Sequence, residues 1–224
     1  MIEPWQKKAV FRRAFLSASR LALLVVALGA AVIFNFVLAL FWPSVGLLAV
    51  AVIGYVVWST AVTGRPVHIA HSVLRELSGF SGLSHRFKSR LAVIERVFVN
   101  FWEKTDALDE EVIGETRREA LRALLALTSR LRAVGLADRV NRDARRFGKP
   151  VGKTDDRAEA MVAAAVDEVE RFVEMLNQTA VAAAEVLLAS REEALDRMTR
   201  AAEELALWQK SLAEAKVELD ESGL

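Results

Sequence analysis

The chain has 224 residues, of which 30 are Lys or Arg and 29 are Asp or Glu, so its formal net charge at pH 7 is +1. It contains no cysteine, which excludes a disulfide-stapled fold and any Cys-ligated metal or iron–sulfur site. The charges are unevenly spread, because none of them occurs in the 44 residues from Leu21 to Gly64. An uncharged apolar block of this length is difficult to hide in the core of so small a chain, which argues against a simple globular domain.

Residues 1–20 form a basic N-terminal segment. Pro4 suits the first position of a helix. The segment contains five cations, between Lys7 and Arg20, and one acidic residue, Glu3. Trp5 and other aromatic side chains are mixed with these cations, a pattern typical of an amphipathic helix on an anionic membrane surface. The alternative is a short tail that only sets membrane topology.

Residues 21–63 are predicted to form a transmembrane helical hairpin. The run from Leu21 to Trp42 has 22 residues, which span about 33 Å as a helix and match a hydrocarbon core of about 30 Å. A turn-rich break, Pro43–Gly46, separates it from a second apolar run that ends near Val62. Both runs are apolar on every face, which favours lipid over a protein core as their surroundings.

The flanks of this hairpin predict its orientation. Basic residues predominate in residues 1–20 and again from Arg65 to Arg90, whereas the loop between the spans carries no charge. The positive-inside bias therefore predicts a multi-pass protein of the inner (cell) membrane with both termini in the cytoplasm. Only a short loop would reach the other side, so we expect recognition to occur at the cytoplasmic face or within the bilayer.

Three residues of the first span are candidates for helix–helix contact in the membrane. Ala27 and Ala31 have the spacing of small residues that permits close helix approach, and the amide of Asn35 could hydrogen-bond across an interface. The span carries no ionisable side chain that would mark a proton or ion path. The alternative is an ordinary anchor that tolerates one Asn.

The next part of the chain is predicted to be helical and cytoplasmic. Residues 65–82 have the pattern of an interfacial helix followed by a flexible joint. In residues 83–153, two runs of apolar heptads predict a helical hairpin with a basic end, although the polar stretch 105–111 also fits one long helix. Gly135 followed by Leu136 predicts a helix C-terminus at that point.

Residues 154–224 are predicted to be a long, acidic, coiled-coil-like helix or a helical hairpin. From Asp155 to Glu221 there is neither Gly nor Pro in 67 residues. The heptad register shifts near Ser190, where a straight helix would change its coiling and a hairpin would bend. The larger residues of the predicted seam are Val162, Val166, Val169, Val173, Leu176, Leu187, Met198, Leu205 and Leu212.

Charge is segregated between the two halves of the molecule. Residues 1–153 carry a net charge of +11 and residues 154–224 a net charge of −10. The basic charge is densest near the end of the first half, and its candidate contact residues are Arg139, Arg142, Arg145, Arg146, Lys149 and Lys153. This basic group could bind anionic lipid or an acidic helical partner, such as the C-terminal segment. Nucleic acid is disfavoured, because no helix-turn-helix pattern or aromatic interleaving accompanies the charge.

The sequence lacks patterns that carry catalysis. The stretch 148–154, GKPVGKT, has one residue too few for a phosphate-binding P-loop and follows no strand pattern. His68, His71 and His85 do not form a set of metal ligands with supporting context. We therefore expect no enzyme, no cofactor, no metal and no small-molecule substrate.

These observations favour a non-enzymatic, membrane-anchored helical scaffold or assembly protein. Its cytoplasmic coils would self-associate into a homo-oligomer or recruit a helical protein partner, with the lipid bilayer as the other partner. Two alternatives stay open. One is a pore-forming or membrane-perturbing effector that its cytoplasmic helices regulate, and the other is an accessory subunit of a larger membrane complex.

Overall fold

The computed structural model of the chain describes residues 2–16, 18–36, 41–83, 85–147, 152–186 and 191–221. The regular structure in these ranges is entirely helical, which confirms the predicted all-α class. The described residues form two compact units, Ile2–Ser72 and Val73–Leu224. The helices are α1 (Pro4–Phe15), α2 (Ala18–Phe36), α3 (Phe41–Thr63), α4 (Pro66–Ser78), α5 (His85–Lys104), α6 (Glu110–Arg146), α7 (Gly152–Val186) and α8 (Arg191–Glu221).

Helix α1 begins as its sequence predicts. Pro4 occupies the first turn, and the backbone N–H of Glu3 donates a 2.9 Å hydrogen bond to Oε1 of Gln6. Together they stabilise the start of the helix. Pro4 loses no hydrogen bond in the first turn, and the side chain of Gln6 accepts the backbone N–H of Glu3. The helix lies against α3, where the hydroxyl of Tyr55 donates to the carbonyl oxygen of Phe15.

Helices α2 and α3 pack against each other. One stretch among the described residues is long and apolar enough to cross a bilayer, Val45–Thr63, with 19 residues and a mean hydropathy of 2.1. The apolar stretch of α2, Leu24–Ile33, is shorter than a span. By length and composition, the structure thus supports one of the two predicted spans.

The predicted break between the two apolar runs is in the wrong place. Pro43 and Gly46 lie inside α3, which begins at Phe41. Pro43 is the third residue of that helix, where the backbone N–H would have no acceptor within the helix, so proline costs no hydrogen bond there. The first run is therefore shorter and the second longer than the sequence suggested.

In the second unit, α5 to α8 form an up-down-up-down bundle. Contacts of Trp102 with Arg117 and of Gly82 with Arg142 make α5 and α6 antiparallel. Helix α7 runs antiparallel to α6 and α8. Its late residue Ala183 packs with the early residues Ile113 of α6 and Met198 of α8. Its earlier residue 168 lies beside residue 130, which is further along α6. Residues 154–224 accordingly hold a helical hairpin, α7 and α8, rather than one straight helix.

The heptad positions of α5 and α6 form much of the core of this unit. Between α7 and α8, the rings of Phe172 and Trp208 stack with centroids 5.2 Å apart. Burial of such side chains is the main favourable term in the stability of a bundle. The apolar residues at heptad spacing in these two helices that are at most 3% exposed are Phe87, Leu91, Ile94, Phe98, Phe101, Ala120, Leu124, Leu127, Leu131 and Val134.

The turn between α5 and α6 is closed by a buried arginine. Arg117 donates through Nε to Oγ1 of Thr105 at 3.0 Å and through Nη2 to the carbonyl oxygen of Trp102 at 3.2 Å. Its guanidinium carbon lies 4.9 Å from the centroid of the Trp102 ring. Oδ1 of Asp106 lies 3.4 Å from the same Nη2, and Oε2 of Glu110 lies 3.8 Å from Nη1. Arg117, in the second turn of α6, thus supplies a donor to a backbone carbonyl at the C-terminal end of α5.

The prediction that a helix ends at Gly135 is wrong, since α6 continues to Arg146. Gly135 instead lets the backbone of the joint before α5 approach α6. A Cβ atom at Gly82 would lie 2.7 Å from the carbonyl oxygen of Gly135, and one at Gly135 would lie 3.3 Å from Cγ of Leu83. The glycine pair therefore serves a close approach of two backbones rather than a left-handed cap.

We expect Gly82→Ala to destabilise the second unit by about 1–3 kcal/mol, because its Cβ would meet a backbone oxygen that cannot move aside. Gly135→Ala is the matched control, since its milder contact is offset by about 1 kcal/mol of helix propensity. Urea unfolding of the full chain in detergent micelles, followed by circular dichroism, measures both. Equal midpoints for the two variants would contradict the proposed close approach.

We expect Arg117→Met to lower the free energy of unfolding by about 2 kcal/mol, because it removes charged hydrogen bonds from a buried helix end. Hydrogen exchange of residues 98–110 should accelerate in the same variant. Arg118→Met is the control, since that exposed side chain donates only to the carbonyl of Gly114 in its own helix. A variant at 117 that exchanges no faster than the variant at 118 would rule out this role.

Candidate interaction site at the basic end of helix α6

Four of the predicted basic residues, Arg139, Arg142, Arg145 and Arg146, lie in the last turns of α6, and Lys153 lies in the first turn of α7. Arg139 and Arg142 are half-exposed, with 52% and 49% of their side chains accessible. Arg146 is exposed. The side chains of Arg145 and Lys153, and all of Lys149, lie outside the described residues. Four of the six predicted cations therefore lie at this helix end, and the side chains of three of them are described.

Two of these arginines also bind the joint between α4 and α5. Arg142 donates through Nη2 to the carbonyl oxygen of Gly82 at 2.7 Å, and Arg139 donates through Nη1 to Oγ of Ser81 at 3.1 Å. Arg132 lies above the ring of Phe80, 5.5 Å from its centroid. Sequence reasoning missed this contact, although glycines in the joint and Gly135 on α6 were a signal for close backbone approach.

Acidic neighbours partly neutralise the same arginines. Asp138 lies 3.2 Å from Nη2 of Arg142, and Asp143 lies 3.8 Å from Nε of Arg139. The partners of each pair are one helical turn apart, and both arginines are about half exposed, so each pair contributes little to stability. About half of each arginine side chain stays exposed beside these pairs.

Exposed apolar side chains share this end of α6 with the cations. Leu136, Val140 and Phe147 are 46%, 62% and 78% exposed. Their spacing of four and seven residues places them on one face of the helix. This apolar face was missed at the level of the sequence, although the spacing of its residues is a helical period.

A cleft of about 1160 Å³ lies between α5, α6 and α7. Charged side chains of both signs line it, including Arg90 and Arg142 opposite Glu159 and Asp167. Its floor on α7 includes Val162 and Val166, which the sequence assigned to a coiled-coil seam and which are only partly buried.

The other predicted seam residues differ in burial along α7 and α8. Val169, Leu176, Met198, Leu205 and Leu212 are at most 2% exposed, and Val173 is partly buried. Leu187 lies outside the described residues. Phe172, which the seam omitted, is fully buried beside Trp208, so the core-facing side of α7 is wider than a strict heptad stripe.

The predicted membrane contact residues are only partly described. Ala31 is 4% exposed and Ala27 is partly buried, both on α2. Asn35 lies in α2, and its side chain is outside the described residues. The burial of Ala31 is compatible with close helix approach at this position.

A buried ion pair connects three helices of the bundle. Nε of Arg130 lies 3.6 Å from Oε1 of Glu168, and Nη1 of Arg130 donates to the carbonyl oxygen of Ala215 at 2.8 Å. The second carboxylate oxygen of Glu168 is buried without a hydrogen-bond partner. Burial raises the pKa of Glu168, although Arg130 and Arg171 act in the opposite direction.

Within the described ranges, no group of three His, Asp or Glu side chains is arranged to hold a metal ion. Nε2 of His68 lies 3.4 Å from Oγ of Ser72, one turn along α4. Arg117, Arg130, Arg139 and Arg142 bind other segments of the chain and so hold its helices together.

Comparison of the chain with protein-family models, with curated proteins and with solved structures found no match.

The raised pKa of Glu168 predicts a pH dependence of stability. Between the unfolded carboxyl pKa of 4.5 and the higher folded value, the folded state binds more protons, so the contribution of Glu168 to stability falls as pH rises through this window. We expect Glu168→Gln to match the parent chain near pH 4 and to become the more stable of the two as pH rises to 8. Urea midpoints measured across this range test it.

Glu174→Gln, which removes an exposed carboxylate from the same helix, controls for the loss of one negative charge. A difference between the Glu168→Gln variant and the parent chain that stays constant from pH 4 to pH 8 would contradict the linkage.

Proposed function

We propose that this chain is a membrane-anchored, non-enzymatic helical protein whose cytoplasmic bundle self-associates or recruits a helical partner. The observation that carries the proposal is the exposed apolar surface of α2 and α3. Val25, Ile53 and Trp58 are 68%, 63% and 66% exposed, and only 11% of the apolar window in α3 is buried. In water such a surface would be costly at about 25 cal/mol per Å², whereas lipid accommodates it.

A two-helix hairpin with both termini in the cytoplasm is part of this proposal. The packing of α2 on α3 supports it, because two adjacent apolar helices can enter the bilayer together. The basic flanks on either side of the uncharged block favour the same orientation. The second unit then lies in the cytoplasm, where its bundle is available to partners.

The exposed surface of the second unit supports a role in assembly. Leu207 and Val217 on α8 are 69% and 54% exposed, on the acidic half of the chain. A partner helix that covered these side chains would remove their apolar area from water. We infer that α8 is available for contacts outside the bundle.

Membrane insertion predicts a strong effect of one charge in α3. Ile53→Asp places a carboxylate near the middle of the apolar stretch, at a cost of about 3 kcal/mol. We expect this variant to leave the membrane pellet after alkaline carbonate extraction, whereas the parent chain stays in it. Val181→Asp, at an exposed apolar position of α7, is the matched control and should behave as the parent does. Release of the parent chain by carbonate would contradict insertion.

Topology and assembly have separate measurements. Because the chain has no cysteine, Ile2→Cys and Leu207→Cys each provide a single thiol for a membrane-impermeant maleimide. For a hairpin with cytoplasmic ends, both thiols react only after the cells are permeabilised. Reaction of just one of them in intact cells would indicate a single span.

The assembly role is measured by the oligomeric state of the detergent-solubilised chain. A strictly monomeric chain without a co-purifying partner would contradict it.

A further inference from the structure

We propose that the end of α6 is a second membrane contact, a surface that docks on an anionic lipid bilayer. Its apolar part is Leu136, Val140 and Phe147, and its cationic part is Arg139 and Arg146. This inference rests on the proposed membrane anchoring of the chain, and it adds a lipid site in the bundle that the anchor does not require. We call these five residues the α6 docking face.

The geometry of the face is that of an in-plane membrane helix. At about 100° per residue, Leu136, Val140 and Phe147 lie within about 40° of one another around the helix, and Arg139 and Arg146 lie together along one border. The three apolar side chains are 46%, 62% and 78% exposed, and exposure increases towards the end of the helix. An apolar stripe bordered by arginines inserts its apolar part among acyl chains and leaves the guanidinium groups at the phosphates.

The charge of the segment favours an anionic partner. Among the residues from Arg130 to Lys153, eight are basic and two, Asp138 and Asp143, are acidic. Asp143 lies on the docking face itself, but its carboxylate is paired with Arg139 at 3.8 Å. Each arginine near an anionic leaflet contributes about 1 kcal/mol, so a few cations suffice for reversible docking.

A membrane is a better occupant for this face than a protein, because the proposed anchor tethers the chain to a bilayer. The joint Ser81–Gly82, to which Arg139 and Arg142 bind, is separated along the chain from the end of the apolar stretch at Thr63 by helix α4. Tethering of this kind raises the effective concentration of lipid at the face, so a weak intrinsic affinity is enough.

The experiment uses the full chain reconstituted in two kinds of vesicle, neutral phosphatidylcholine and a mixture with 30% phosphatidylglycerol. Single cysteines at Val57, Val140 and Leu207 carry an environment-sensitive fluorophore, and lipids with a nitroxide on the acyl chain quench labels that enter the bilayer. Val57 lies in the apolar stretch of α3, and Leu207 is the matched control on α8, with 69% exposure against 62% for Val140.

We expect the label at 57 to be quenched in both vesicles, the label at 140 to be quenched only in anionic vesicles, and the label at 207 in neither. Combined Arg139→Gln and Arg146→Gln should lower the ratio of docked to undocked chains at position 140 by about fivefold per arginine removed. Arg197→Gln and Arg200→Gln, two exposed arginines of α8, form the control pair and should leave this ratio unchanged.

The outcomes separate this inference from the proposed function. Quenching at 57 without quenching at 140 would overturn the docking face and leave membrane anchoring standing, whereas absence of quenching at 57 would contradict the anchoring itself. Equal quenching at 140 in neutral and anionic vesicles would overturn the role of the arginines. Shielding of the label at 140 in detergent that depends on protein concentration would assign the face to a second copy of the chain instead.

Discussion

The bundle depends on arginines of α6 that donate to main-chain carbonyls of other segments. Arg117 binds the carbonyl of Trp102, Arg130 that of Ala215, and Arg142 that of Gly82. The carbonyls of Trp102 and Gly82 lie at a helix end and in a joint, where the i+4 donor of a continuing helix is missing, whereas that of Ala215 lies inside α8. A guanidinium can supply several donors in a fixed plane. Helix α6 thereby holds α5 at its end, the joint before α5, and α8.

These contacts explain why so basic a helix can occupy the interior of the bundle. Arg117 is 9% and Arg130 is 6% exposed, and each is compensated by carbonyl oxygens and by carboxylates. Leaving either charge without partners would be expensive, so the interactions fix the register of the helices more than they add stability. The charge that remains exposed collects at the end of α6, where the helix extends beyond its contacts with the joint.

The opposite charges of the two halves of the chain meet inside one unit. Arg130 pairs with Glu168 across α6 and α7, and Arg90 binds Glu170 across α5 and α7. Ion pairs between the basic and acidic halves therefore form within the chain at Arg90 and Arg130, which are not among the six predicted contact residues. These ion pairs do not involve Arg146 or the apolar side chains at the end of α6. That end is therefore the candidate surface for lipid.

The all-α class, the apolar helix α3 and the heptad cores of α5 and α6 were determined by the sequence alone. Hydrophobic period and the absence of charge are local properties, and burial follows from them wherever the helices find partners. The position of Pro43 within α3 and the continuation of α6 through Gly135 were misjudged, because Pro is tolerated in the first turn of a helix and Gly within a helix.

Only the tertiary structure decided that Gly135 faces Gly82, that Phe172 stacks on Trp208, and that Arg130 and Arg142 bind carbonyls. Each of these depends on residues more than 30 positions apart, whose meeting is set by the packing of whole helices rather than by any local pattern.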